Sequence, residues 1–184
     1  MAHIMSDLNV KTNYVEMSDP VYNVISSRIR ASFPNSCICW IEETINPTLK
    51  EAYDKRAIAI SKDGPINELQ LFHGTKEEAV NSIVSNGFDP AYNKTSAYGK
   101  GTYFAKNASY SFSYMQPNQN GISFMFLCDV LLGRSCVGSS NLEIDTTKYD
   151  SAVDTLVKPS IVVTPYADGA YPRYIIAFHK NAKA

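Results

Sequence analysis

Hydrophobic positions in this chain repeat with two periods, and the switches between them mark the elements. Residues 6–17 are polar and predict an irregular lead-in. Ser18-Asp19-Pro20 then supplies a capping residue and a proline suited to a first helical turn. Val21, Val24, Ile25 and Ile29 recur at helical spacing, and the helix should stop before Phe33-Pro34. Cys37 to Ile45 is rich in β-forming residues and carries Trp40, so it predicts a strand, broken by Asn46-Pro47. Thr48 to Arg56 has the pattern of a second helix, and Ser61-Lys62-Asp63-Gly64-Pro65 that of a turn.

Asn67 to Phe72 alternates, with Leu69 and Leu71 on one face and Gln70 and Phe72 on the other. From Thr75 to Ser85 the period becomes helical. Thr75 is the expected N-cap, Glu78 completes a T-x-x-E capping box, Ala79, Ile83 and Val84 form the apolar stripe, and Gly87 is the stop. His73 and Gly74 therefore fall in a strand-to-helix junction, the kind of short loop that a rigid scaffold holds in place for function. Residues 88–97 predict a loop placed to act as a lid. Gly99-Lys100-Gly101 opens a short strand through Ala105, and Asn107 caps a helix that takes in Ser111 and Tyr114. Ile122 to Leu132 is nearly continuous apolar and predicts a buried central strand. Gly133 to Lys148 is loop-like, and Ser160 to Thr164 and Arg173 to His179 are further β-rich runs. Helices come early and strands late without βαβ alternation, which favours an α+β fold with a largely antiparallel sheet.

Composition narrows the function classes. The chain has 184 residues, 45% hydrophobic and 19% charged, enough for one domain with a sizeable core. A net charge of −1 argues against a broad basic face for nucleic acid. No apolar run is long enough for a membrane span, and no signal peptide is visible. Met1 to Met5 reads as a remnant of expression. Cys37 and Cys39 stand two apart in a strand and cannot readily bridge each other; with Cys128 and Cys136 they form no C-x-x-C pair. Reduced thiols, no metal site and an intracellular location, cytoplasmic or nuclear, are the expectation.

Common nucleotide motifs fail. Gly99-Lys100-Gly101 lacks the third glycine of G-x-G-x-x-G, and Lys94 occupies the first glycine position of a phosphate loop. No H-E-x-x-H occurs, and no nucleophile elbow supports a Ser-His-Asp triad. What remains is His73-Gly74-Thr75, then Gly99-Lys100-Gly101-Thr102-Tyr103-Phe104-Ala105, then Ser111 and Tyr114.

Together these motifs resemble the catalytic domain of the poly(ADP-ribose) polymerase family. The likeness runs from about Ser18 to Lys180. It includes Ile41-Glu42-Glu43-Thr44-Ile45-Asn46-Pro47, Lys148-Tyr149-Asp150-Ser151-Ala152-Val153-Asp154 and Ala170-Tyr171-Pro172-Arg173-Tyr174-Ile175-Ile176. The resemblance implies an ADP-ribosyltransferase fold, with two small, mainly antiparallel sheets forming an NAD cleft flanked by helices. Residues 1–17 would be a leader and 18–184 a single catalytic domain. NAD would be the co-substrate, with no metal. His73 would bond a ribose hydroxyl, Gly74 and Ser111 the nicotinamide amide, and Tyr103 and Tyr114 would flank the nicotinamide ring. Thr75 would also belong to the NAD-binding set.

The third member of the family's triad is a glutamate in chain-building enzymes. Counted back from Ala170-Tyr171-Pro172, that position is Ile161, so the triad would be His73, Tyr103 and Ile161. Isoleucine can neither accept a hydrogen bond nor polarise an attacking hydroxyl. The resemblance thus implies a mono-ADP-ribosyltransferase rather than a polymerase, acting on a protein side chain, with a nucleic acid acceptor left open. No membrane partner is expected, and the domain should be monomeric. Two alternatives stand beside it: an NAD-binding module without catalysis, which Ile161 keeps in play, and an RNA-phosphate transferase. The latter needs a second histidine near the site, and only His3 and His179 are at hand.

Overall fold

The computed structural model describes residues 10–93 and 96–179. The expectations for Met1 to Met5, His3, Lys94 and Lys180 lie outside the described residues. Nine strands and four α-helices make up the described fold. The strands are β1 (Lys11–Tyr14), β2 (Cys37–Ile45), β3 (Glu68–Thr75), β4 (Thr102–Ala105), β5 (Ile122–Leu131), β6 (Ser135–Val137), β7 (Ser151–Val153), β8 (Ile161–Thr164) and β9 (Ala170–His179). The helices are α1 (Pro20–Ser32), α2 (Pro47–Ser61), α3 (Glu77–Asn86) and α4 (Ala108–Phe112).

The sheet runs in the order β1-β2-β9-β5-β3-β4-β8-β7-β6, antiparallel except for the β6–β7 pair. At its middle, β3 and β4 share one register pair, Phe72 with Ala105. That single joint divides it into two mainly antiparallel halves. β5 lies between β9 and β3, and every residue from Ser123 to Leu131 is buried. α3 packs on one face, adding Ile83 and Val84 to a cluster with Leu71, Phe104, Phe126 and Val162. α1 and α4 cover the other face, where Ile25, Ile29 and Ala108 meet Phe72, Met125 and Phe178. α2 seals one end through Tyr53 and Ile60 against Leu131 and Tyr171.

Local signals decide some boundaries. Asp19 accepts from the Val21 N–H at 2.8 Å, with Pro20 at the first helical position, so α1 begins where capping chemistry places it. Of its apolar stripe, Ile25 and Ile29 are buried while Val21 and Val24 are exposed. Tertiary pairing overrides local signals elsewhere. Thr75 is the last residue of β3, paired with Phe124, so it does not cap α3; Lys76 stands at that position without a side-chain bond. Residues 11–14 form β1 on the edge of β2, and β6 falls within the stretch expected to be loop. α2 runs on to Ser61, past its expected end at Arg56.

Candidate active site

The one-pair joint between β3 and β4 makes the cleft. β3 stays paired with β5 through Thr75, while β4 turns away after Phe72, and a cavity of about 580 Å³ opens between them. That volume is in the range of small-molecule sites. His73, Gly74, Thr75, Tyr103, Ser111 and Tyr114 all line it. Six residues from three separate stretches therefore meet on one surface, while Ile161 is not part of that lining.

His73 belongs to β3, so its position is set by the sheet and not by a loop. Its Nδ1 lies 2.8 Å from the backbone carbonyl of Tyr103. A carbonyl only accepts, so Nδ1 carries the proton, and in the neutral ring Nε2 is an acceptor. The ring packs against Phe88 and Phe104, with centroids 5.0 and 5.5 Å away. Burial penalises the imidazolium and lowers the pKa below its usual value, against the smaller opposing effect of the Tyr103 carbonyl.

Gly74 sits where β3 passes α4. A Cβ there would come within 2.0 Å of the Ser111 carbonyl oxygen, so only glycine fits. Backbone groups of a strand alternate in direction, so Gly74 presents its N–H and C=O to the same side as Phe72. The Phe72 carbonyl there accepts from the buried Ser111 hydroxyl at 3.1 Å. Gly74 and Ser111 thus offer a backbone donor, a backbone acceptor and a hydroxyl side by side.

Tyr103 is 8% exposed, and its phenol oxygen is engaged within the protein. It accepts from the Tyr98 N–H at 2.9 Å and donates to the Gly99 carbonyl at 2.7 Å. Burial is the chief cause that raises its pKa, which keeps the phenol protonated. The ring face, not the hydroxyl, is what Tyr103 can offer a ligand. Tyr114 lies just past α4 and is 42% exposed, its hydroxyl 3.4 Å from that of Tyr110. That bond is the main cause pushing the Tyr110 phenol pKa up.

Ile161 opens β8 opposite Ala105 and is 5% exposed. It shares an apolar cluster with Tyr103, Ala105, Ala152 and Val163. The loop after α3, expected as a lid, does border the cavity through Phe88, Asp89, Tyr92 and Asn93. Sequence reasoning placed Phe88 in the lid loop without its contact with His73, and missed Tyr110. Nothing local marks the Phe88 contact, whereas Tyr110 stands four residues before Tyr114, a spacing that brings helical side chains together. Among the described residues, the lining carries the carboxylates of Glu78 and Asp89 and no lysine or arginine. None of the described helices is long and apolar enough to cross a membrane.

The pattern of the poly(ADP-ribose) polymerase catalytic domain matches residues 25–164. Among curated proteins, the chain is 37% identical to protein mono-ADP-ribosyltransferase PARP14 of Homo sapiens, over 89% of this chain and 10% of that protein. It is 30% identical to protein mono-ADP-ribosyltransferase PARP12 of Mus musculus, over 97% of this chain and 27% of that protein. Protein mono-ADP-ribosyltransferase PARP11 of Mus musculus is 31% identical, over 86% of this chain and 57% of that protein. The chain spans from a tenth to just over half of the length of these relatives. The chain belongs to the poly(ADP-ribose) polymerase catalytic domain family.

Proposed function

We propose that this domain transfers one ADP-ribose unit from NAD to an acceptor side chain of a protein and releases nicotinamide. The carrying observation is the convergence of His73, Gly74, Thr75, Tyr103, Ser111 and Tyr114 on one cavity; beside it we read the buried, aliphatic Ile161 as the triad's third position. The three relatives are described as protein mono-ADP-ribosyltransferases, which supports the same reading.

The chemistry of the donor set fits NAD. A carboxamide needs an acceptor for its N–H groups and a donor for its oxygen; the Gly74 backbone supplies both without net charge, and the Ser111 hydroxyl adds a donor once it turns from the Phe72 carbonyl. The Tyr103 and Tyr114 rings suit a flat cationic pyridinium. The bare Nε2 of His73 accepts from a ribose hydroxyl. In the reaction the bond from ribose C1′ to the nicotinamide nitrogen breaks, and its electron pair leaves with neutral nicotinamide. A nucleophile on the acceptor forms the new bond to C1′ and loses its proton to its own base or to water. The transition state is oxocarbenium-like, so positioning of ring and ribose lowers the barrier.

In the triad read as His73, Tyr103 and Ile161, the third position has no acceptor atom. A ribose hydroxyl of bound ADP-ribose therefore cannot be activated as the next nucleophile, and addition stops at one unit. An acceptor that brings its own carboxylate or thiolate does not need that help. The test is to incubate the domain with NAD and candidate acceptor proteins, digest them, and weigh the modified peptides. One ADP-ribose per modified side chain is expected. Ladders of units on one side chain would overturn the single-unit reading. Tight NAD binding with no adduct on any acceptor would favour a binding module.

A further inference from the structure

Asn46 lies outside the cavity lining, yet it is 2% exposed and all its polar atoms are engaged. Its Oδ1 accepts from the Leu49 N–H at 3.1 Å, which caps the N-terminus of α2. Its Nδ2 donates to the carbonyls of Val84 at 2.9 Å and Ser85 at 3.1 Å. Those two carbonyls belong to the last turn of α3, where helical geometry supplies no N–H to meet them. Its own N–H donates to the Tyr171 hydroxyl at 3.2 Å, which in turn donates to the Thr44 carbonyl. One amide thus starts α2 and finishes α3, two helices separated in the chain by the whole of β3.

The last turn of α3 leads directly into the cleft. Ser82, Ile83 and Asn86 line the cavity from the helix. Gly87 then turns the chain with φ 77°, held close enough to α2 that a Cβ would lie 3.2 Å from Leu49 Cδ2. Phe88 comes next, its ring 5.0 Å from that of His73. Two residues, Gly87 and Phe88, thus connect the end of α3 to the ring packed beside the imidazole.

We propose that Asn46 is a positioning residue for the donor substrate: by clamping the end of α3 to the start of α2 it sets the cleft wall and the ring that braces His73. This deepens the reading that the cleft binds NAD and rests on it. An asparagine serving only to cap α2 would have no need to place both amide hydrogens on a second helix.

The discriminating variant is N46D. Aspartate is as good an N-cap as asparagine, so α2 keeps its start, while both donors to α3 are replaced by an oxygen facing two carbonyls. The comparison variant is I29V, which trims a fully buried residue of α1 on the opposite face of the sheet. Each is measured for NAD dissociation constant, for KM and kcat of nicotinamide release, for denaturation midpoint, and for the NMR shift of the His73 ring proton. N46D should raise Kd and KM for NAD about tenfold with kcat changed less than about threefold, and should move the His73 resonance. I29V should lose comparable stability and leave Kd, KM and the His73 resonance in place. The proposal is overturned if N46D binds NAD as the wild type does, or if I29V shifts Kd and KM equally. Should the wild type fail to bind NAD, the functional reading falls, and the His73 resonance then decides the clamp alone: unchanged in N46D, it too is overturned.

Discussion

Replacing Tyr103 with phenylalanine separates the two things this side chain can do. The ring that faces the cavity stays, and only the hydroxyl is lost. That hydroxyl accepts from the Tyr98 N–H and donates to the Gly99 carbonyl, so it ties the segment before β4 back onto the strand. Gly99 is buried, and its carbonyl would lose the donor it now has from the phenol. A net hydrogen bond contributes about 0.5–1.5 kcal/mol, and a buried acceptor left unmet costs about 1–3 kcal/mol. Because both bonds share one oxygen, Y103F should destabilise the domain by about 1–3 kcal/mol. For a chain of this size that corresponds to a fall of about 2–12 °C in Tm. NAD affinity should drop less in Y103F than in Y103L, which keeps bulk but removes the aromatic face, worth about 0.5–2 kcal/mol toward a cationic ring. Differential scanning calorimetry and NAD titration of both variants provide the comparison. Unchanged Tm together with abolished NAD binding in Y103F would refute the reasoning, since the hydroxyl would then belong to the substrate and not to the loop.

The same geometry carries other consequences. H73A removes the Nε2 acceptor and should weaken NAD binding by about 1–3 kcal/mol, roughly 5- to 150-fold in Kd by calorimetry; an unchanged Kd would misplace the site. The pH dependence has a definite sign. His73 has a folded pKa below 6.5, so below that pH the unfolded chain takes up a proton that the folded chain refuses. The stability contributed by the neutral ring is therefore complete above 6.5 and is lost as pH falls through the lowered folded value. The difference in unfolding free energy between wild type and H73Q should shrink on acidification, and a difference that grew would contradict the burial argument. Glu78 and Asp89 put two exposed carboxylates beside the cleft proposed to take NAD, whose pyrophosphate is anionic. E78Q and D89N should each tighten NAD binding by less than about fivefold, the gain fading as salt is raised; D89N keeps the turn it caps through Ala91.

The features legible in the sequence are those whose causes are local. The Asp19-Pro20 start of α1, the limits of β2 and the continuous apolar run of β5 each depend on chemistry within a few residues. Thr75 shows where that logic stops. Thr75 and Glu78 have the spacing of a capping box, but pairing with Phe124 continues the sheet through Thr75, and the ladder outweighs a cap worth about 1 kcal/mol. The site divides in the same way. His73, Gly74, Tyr103, Ser111 and Tyr114 stand within recognisable motifs, whereas the Phe88 ring meets His73, 15 residues away, and the Asn46 side chain donates to carbonyls 38 and 39 residues away; in the sequence Asn46 shows only as a strand break with Pro47.

The extension of β3 past its expected end has a chemical consequence. Were His73 and Gly74 a loop, as the sequence suggests, their backbone would be free to rearrange around a ligand. Placed in a strand paired on one side only, they are rigid, and the side facing β4 has no register partner beyond Phe72. A ligand amide set against Gly74 would meet donor and acceptor groups at the spacing of an adjacent strand, already fixed before binding. Little ordering entropy then opposes association at that point, because the residues concerned were ordered by folding. The two carboxylates of the lining, Glu78 and Asp89, are exposed at its margin, and none of the residues beside Gly74 on β3 is charged. A carboxamide held by strand-edge geometry, as proposed, needs no charged side chain, and a charge buried beside His73 would disturb the tautomer that its bond to the Tyr103 carbonyl fixes.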